Sequence, residues 1–196
     1  MILSLQGAMA VGKTTAAQYL HTHTANVQVC FENNSSVIAQ VARLGLDKRR
    51  YPDYIRIQRL WIRNEVNRWK NTEGHPCSVM DFGAEEIEFY TLHYPQSIGE
   101  NWPVEQDLAP ELAQLRQCMP QRILFLDAAE EELRRRREND ATRSRGFFDH
   151  YVEHLLPLKR KWFLSRSDVD VLRVDDLTPE QVGQAVKQWV EHCMQR

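Results

Sequence analysis

The sequence predicts an α/β fold in which helices cover both faces of a parallel sheet. Two observations carry that prediction. Apolar runs of strand length alternate with segments of helical character, the pattern of parallel strands joined by crossover helices. Residues 7–14 read Gly7-Ala8-Met9-Ala10-Val11-Gly12-Lys13-Thr14, a complete G-x-x-x-x-G-K-[ST] motif. It lies between an apolar run, Ile2 to Leu5, and a helical segment, the strand–loop–helix context that gives such a motif meaning.

The first strand is expected at 2–6, and the first helix, 13–24, opens inside the motif. Val27 to Phe31 form the second strand, followed by a helix at 35–45. The long helix at 53–72 carries Ile57, Leu60, Trp61 and Val66 inward. Its Arg56, Arg59 and Arg63 share a face by their i, i+3, i+7 spacing, either as a solvated surface or with one or two lining a substrate cleft. Cys77-Ser78-Val79-Met80-Asp81 is the third strand, 77–81, with helices at 84–93 and 105–118 after it. The fourth strand, 122–126, precedes helices at 129–138 and 147–165. The fifth, 169–174, precedes a last helix at 179–194. Pro52, Pro76, Pro95, Pro103, Pro120 and Pro179 fall at or near these ends, where proline is tolerated.

A chain of 196 residues suits one domain, 1–196. The net charge of −2 with mixed signs argues against a dedicated nucleic-acid surface. Lys48-Arg49-Arg50 and the arginines of 134–137 keep nucleic-acid end phosphorylation as a remote alternative. No apolar run approaches the roughly 20 residues of a membrane span, and a first strand beginning near Met1 leaves no room for a signal peptide. Cys30, Cys77, Cys118 and Cys193 are widely spaced, as expected of reduced thiols in a cytoplasmic protein. Cys30 and Cys77 fall in expected strands and read as core residues.

The motif implies chemistry. Gly7 and Gly12 permit backbone conformations that other residues resist. Backbone N–H groups from Ala8 through Met9, Ala10 and Val11 to Thr14 and Thr15 can then converge on phosphate oxygens, aided by the positive end of the helix. Lys13 reaches the β- and γ-phosphates and Thr14 ligates magnesium. The cofactors expected are therefore ATP and Mg²⁺.

Residues past the carboxyl ends of parallel strands face a ligand crevice. Glu32 follows the second strand, where a carboxylate can accept a proton from an attacking hydroxyl; the plainer reading is a surface acid near a helix start. Asp81 ends the third strand, where it binds the metal directly or through water, or caps the helix at Ala84. Arg134 and Arg137 can share a helix face. With Arg143, in Arg143-Ser144-Arg145-Gly146, they suggest a lid over the triphosphate at about 134–146. Arg137 is assigned to the transferring group, and Arg134 and Arg143 to the nucleotide. The competing readings are nucleic-acid contact and a solvated helix paired with Glu130, Glu131 and Glu132. His150 and His154, four apart, lack a third metal ligand in sequence. The turn Val174-Asp175-Asp176-Leu177 passes near a nucleotide base or caps the last helix.

Together these residues resemble the nucleoside and nucleotide kinase branch of the phosphate-loop NTPase fold, most closely the deoxynucleoside kinases. The resemblance runs from the loop through Glu32, Gln58 and Asp81 to the arginine segment and the helix from Phe147 to Phe163. It implies a five-stranded parallel sheet of order 2-3-1-4-5. It also implies Glu32 as general base, Gln58 as the nucleobase ligand and Asp81 at Mg²⁺, with a lid of arginines after the fourth strand. One position departs: the family usually has an arginine directly after the acid of the third strand, and Phe82 stands there. Arg59, Arg63 or a lid arginine can substitute, or the acceptor is not a usual nucleoside.

The function expected is ATP-dependent transfer of the γ-phosphate to a hydroxyl or phosphate of a small-molecule acceptor, with a nucleoside or nucleotide favoured. The alternatives are an antibiotic-type phosphotransferase, resembling chloramphenicol phosphotransferase, and a nucleotide-binding ATPase or regulator without a small acceptor. A homodimer is left open.

Overall fold

A computed structural model describes residues 1–138 and 146–195. Five strands, β1 (Ile2–Gly7), β2 (Gln28–Cys30), β3 (Ser78–Asp81), β4 (Arg122–Asp127) and β5 (Val169–Arg173), form one sheet of order β2-β3-β1-β4-β5. Every pairing is parallel. The sheet is therefore the five-stranded 2-3-1-4-5 arrangement. β1 is its central strand, flanked by β3 on one side and β4 on the other. Chain connections diverge from β1, which opens a crevice at the carboxyl ends of the strands. Register places Leu5 beside Asp81 and Gly7 beside Leu126 at that edge.

The central strands are apolar because both faces are covered: Leu3, Leu5, Val79, Ile123 and Phe125 are fully buried. α1 (Lys13–His23) packs on α10 (Pro179–Met194), where Gly183 lies against the Tyr19 ring and a Cβ would collide with it. Thr178 begins α10 with a reciprocal capping box to Gln181. α2 (Ser35–Arg43) and α3 (Tyr51–Lys70) follow β2, and α4 (Ala84–Ser97) follows β3.

Some elements differ from the sequence expectation. α3 starts at Tyr51 because Pro52 fits the first helical turn. α4 runs past 93 and carries Pro95 in its last turn. The helix expected at 105–118 is two, α5 (Val104–Asp107) and α6 (Ala109–Arg116), with Pro110 in the first turn of α6. α7 (Glu130–Glu138) follows β4. The helix expected at 147–165 comprises α8 (Phe148–His150), a π-helical turn (Tyr151–Leu155) and α9 (Leu156–Leu164). Pro157 has no N–H to continue the α pattern there. Arg143 and the rest of 139–145 lie outside the described residues.

Candidate functional site

β1 ends at Gly7, with φ of 142°, and the chain turns through Ala10 (φ 64°) and Gly12 (φ 99°) into α1. A side chain at Gly7 would run into the Leu126 carbonyl oxygen of the neighbouring strand, so the tight register of β1 with β4 itself requires glycine here. Ala10 holds a left-handed conformation that costs roughly 1–2 kcal/mol for an L-residue. Gly12 caps α1 without a side-chain hydrogen bond, and no acid occupies the first turn. The first amides of α1 are therefore available to an anion. Lys13 folds back, its Nζ donating to the carbonyls of Ala8 at 3.1 Å and Gly7 at 3.4 Å.

Two cavities flank this loop. One, of about 580 Å³, is lined by Ala10, Val11, Gly12 and Thr15, by Arg135 and Arg136 of α7, and by the turn from Asp175 to Pro179. The other, of about 420 Å³, includes Lys13 and Thr14 of the loop together with Glu32, Asp81, Glu86 and Gln58. Both fall in the range of small-molecule pockets, about 300–1,000 Å³.

The second cavity is a slot between two helices. Tyr54, Ile57, Gln58 and Trp61 repeat at helical spacing along α3, and Glu86, Ile87, Tyr90 and Tyr94 do so along α4. The helices run antiparallel: Gln58 Oε1 accepts from Thr91 Oγ1 at 2.9 Å, while Tyr54, earlier on α3, stacks on Tyr94, later on α4.

Three carboxylates face the loop end of the slot. Asp81 is 1% exposed, and its Oδ2 has no hydrogen-bond partner among the described residues. Glu32 is exposed and accepts from Asn34 Nδ2. Glu86 is buried against Lys159, whose Nζ donates to Glu86 Oε1 at 2.7 Å and to the Gly7 carbonyl at 3.0 Å. Lys159 is itself 1% exposed. Loss of hydration on burial pulls its ammonium down to about 8, against the opposing attraction of Glu86. Beside it Glu85 is fully buried and accepts from Ser4 Oγ and from Gln6 Nε2 at 2.6 Å. Burial raises its carboxyl despite those bonds.

Phe82, the residue directly after Asp81, has φ of 46° and is buried. Its carbonyl accepts from Arg68 Nη2, and Arg68 Nη1 donates to the Cys30 carbonyl at 2.9 Å. The guanidinium also lies over the Phe82 ring, 5.1 Å from its centroid, and pairs with Glu65. A buried arginine is thus present near this position. It comes from α3 and ties the ends of β2 and β3 together.

The other arginines spread out. Arg59 pairs with Glu111 at 2.7 Å, away from the slot lining. Arg134 pairs with Glu130 and Asp149, each at 2.8 Å. Arg137 lies over the Phe148 ring at 5.9 Å. Neither Arg134 nor Arg137 lines either cavity. Arg136 does, donating to the carbonyls of Val11 at 3.0 Å and Val174 at 2.6 Å. The turn at Asp175 follows Val174 along the wall of the larger cavity, and Asp175 accepts from the Ala129 amide at 2.6 Å.

Sequence reasoning missed Lys159, Arg136, Arg68 and Lys48. For Lys159 a signal existed: it follows Tyr151 and Leu155 at intervals of four and precedes Phe163 by four, and all are buried. A lysine on an apolar face needs a partner.

The four cysteines are buried, and among the described residues none is in a disulfide. Among the described residues, no cluster of three or more His, Cys, Asp or Glu could cage a metal, and no helix is long and apolar enough to cross a membrane. The chain matches no protein-family model and no curated protein sequence.

Proposed function

We propose that this chain is a phosphate-loop kinase that moves the γ-phosphate of ATP to a hydroxyl or phosphate of a small molecule, with a nucleoside or nucleotide as the favoured acceptor. One observation carries this reading: the loop lies between two cavities, and Lys13 and Thr14 open into the one that also holds Glu32 and Asp81. A donor site and an acceptor site meeting at one phosphate-binding loop is the layout that transfer requires.

In this reading the base and ribose occupy the larger cavity, beside Arg135, Arg136 and the turn after β5. The phosphates lie on the loop amides, and Lys13 exchanges the Ala8 and Gly7 carbonyls for phosphate oxygens. The acceptor enters the slot. Its hydroxyl oxygen bonds to the γ-phosphorus as the bond from that phosphorus to the bridging oxygen of ADP breaks. Glu32 takes the hydroxyl proton.

Thr14 and Asp81 would hold Mg²⁺. The fit rests on Asp81, whose buried and unpartnered Oδ2 is a hard oxygen ligand without another role. The ion would neutralise charge on the phosphate oxygens. The rest of the rate enhancement comes from positioning and electrostatics.

Labelled ATP with a panel of nucleosides, nucleotides, aminoglycosides and other hydroxyl compounds tests this. ADP release that depends on an acceptor, with label appearing in that acceptor, is the expected result. Hydrolysis at full rate with no acceptor present would sink it.

A further inference from the structure

The end of the slot away from the loop has its own chemistry. Lys48, in the connection between α2 and α3, lines the slot there. Its Nζ lies 4.4 Å from the Phe147 ring centroid and 4.8 Å from that of Tyr94. Tyr94 in turn stacks on Tyr54 at 5.7 Å. Among the described residues no carboxylate lies within ion-pair distance of Lys48. Burial and the neighbouring Arg49 lower its affinity for a proton. Lys48 is exposed overall, and its ammonium rests on two aromatic faces at the rim of the slot.

The order along the slot is fixed by the helices. Glu86 and Tyr94 are about 12 Å apart along α4 at 1.5 Å per residue, with Gln58 held level with Thr91 between them. An acceptor whose hydroxyl meets Glu32 and Asp81 at the loop end therefore presents its far edge to Lys48. A lysine ammonium has three donors and no acceptor. It rewards an oxygen at that edge and disfavours an amino group, which would leave two sets of donors facing each other at the rim of the slot.

We propose that Lys48 sets acceptor specificity by donating to the base substituent at its far edge, so that nucleosides with an oxo group there (thymine O4, guanine O6) are taken over those with an amino group there (cytosine N4, adenine N6). The inference rests on the acceptor reading given under Proposed function.

The test is kcat/KM with ATP and Mg²⁺ for thymidine and deoxyguanosine against deoxycytidine and deoxyadenosine. It is measured for the wild type, Lys48→Met and Lys48→Arg, with thermal melting to confirm that each variant is folded. The wild type should favour the oxo pair at least tenfold. Lys48→Met should lower kcat/KM for the oxo pair at least tenfold, mainly through KM, while the amino pair changes less than threefold. Lys48→Arg, another donor-only cation, should recover part of the preference. A wild-type preference for amino bases, or an equal loss on all four substrates in Lys48→Met, overturns the assignment of Lys48 alone. No transfer to any of the four overturns the nucleoside reading and this inference with it.

Discussion

Lys159 Nζ donates to the backbone carbonyl of Gly7 at 3.0 Å, so a lysine buried in α9 holds the first glycine of the phosphate loop. The same ammonium meets Glu86 in the slot. A buried ion pair of this kind is seldom worth more to stability than an apolar pair of equal volume. Replacing both members, Lys159→Met with Glu86→Leu, is therefore expected to leave the melting temperature within a few degrees while transfer falls at least tenfold. Calorimetry and steady-state kinetics on the double variant check this. A large loss of melting temperature with kcat/KM preserved would make the pair structural only.

Lys159 also gives stability a pH dependence with a definite sign. Its folded value of about 8 lies below that of an unfolded lysine, about 10.4. Between those values the unfolded chain binds more protons. The group's contribution therefore becomes more favourable as pH rises from 8 to 10, and is least favourable below 8. Urea midpoints across pH 7–10 should show a rising component in the wild type that is absent in the double variant.

Gly7→Ala places a methyl group into the Leu126 carbonyl and puts a non-glycine residue at φ of 142°. The loop must move, so binding of a fluorescent ATP analogue should fall at least tenfold. Retained affinity would show that the loop tolerates another path.

Lys13→Ala should abolish transfer with the fold intact by circular dichroism, and unchanged activity would refute the phosphate role of the loop. Glu32→Gln should lower kcat by about 10²–10⁴, the range for a general base, with little change in ATP affinity. A variant that loses only ATP binding would contradict the assignment of Glu32 as base.

Arg68→Ala strands Glu65, which is 2% exposed, without its partner. Breaking such a pair costs about 3–5 kcal/mol, which denaturant unfolding would register. The double variant Arg68→Leu with Glu65→Leu should recover most of that loss, and failure to do so would locate the cost in the Cys30 and Phe82 carbonyls instead.

Much of the fold was legible because the strands are short apolar runs in a sheet covered on both sides. Their ends are marked by residues with a reason to be there, such as Gly7 and Asp81. The placement of Glu32 and Asp81 in one cavity with Lys13 followed from that topology, whereas Gln58 was expected there only through the resemblance. The arginines were not legible. Arg134, Arg135, Arg136 and Arg137 are identical in type, and which of them reaches a carbonyl or a cavity depends on the rotation of α7 over β4. Lys48 and Lys159 escaped notice for a related reason. A lysine in sequence reads as solvated; only the packing around Lys159 shows that it is buried, and only the fold brings Lys48 onto the Tyr94 and Phe147 rings. The π-helical turn at Tyr151–Leu155 was hidden too, since one added residue in a helical turn leaves the apolar pattern nearly unchanged.

Arg136 has a consequence for how a nucleotide would arrive. By gripping the carbonyls of Val11 and Val174 together, it joins the Gly7–Thr14 loop and the residue after β5 into a single wall through the protein's own bonds. A wall that is already ordered asks no loop entropy of the incoming molecule. Entry and exit on the donor side should then be governed by diffusion and contact strength, without a slow closing step of that wall.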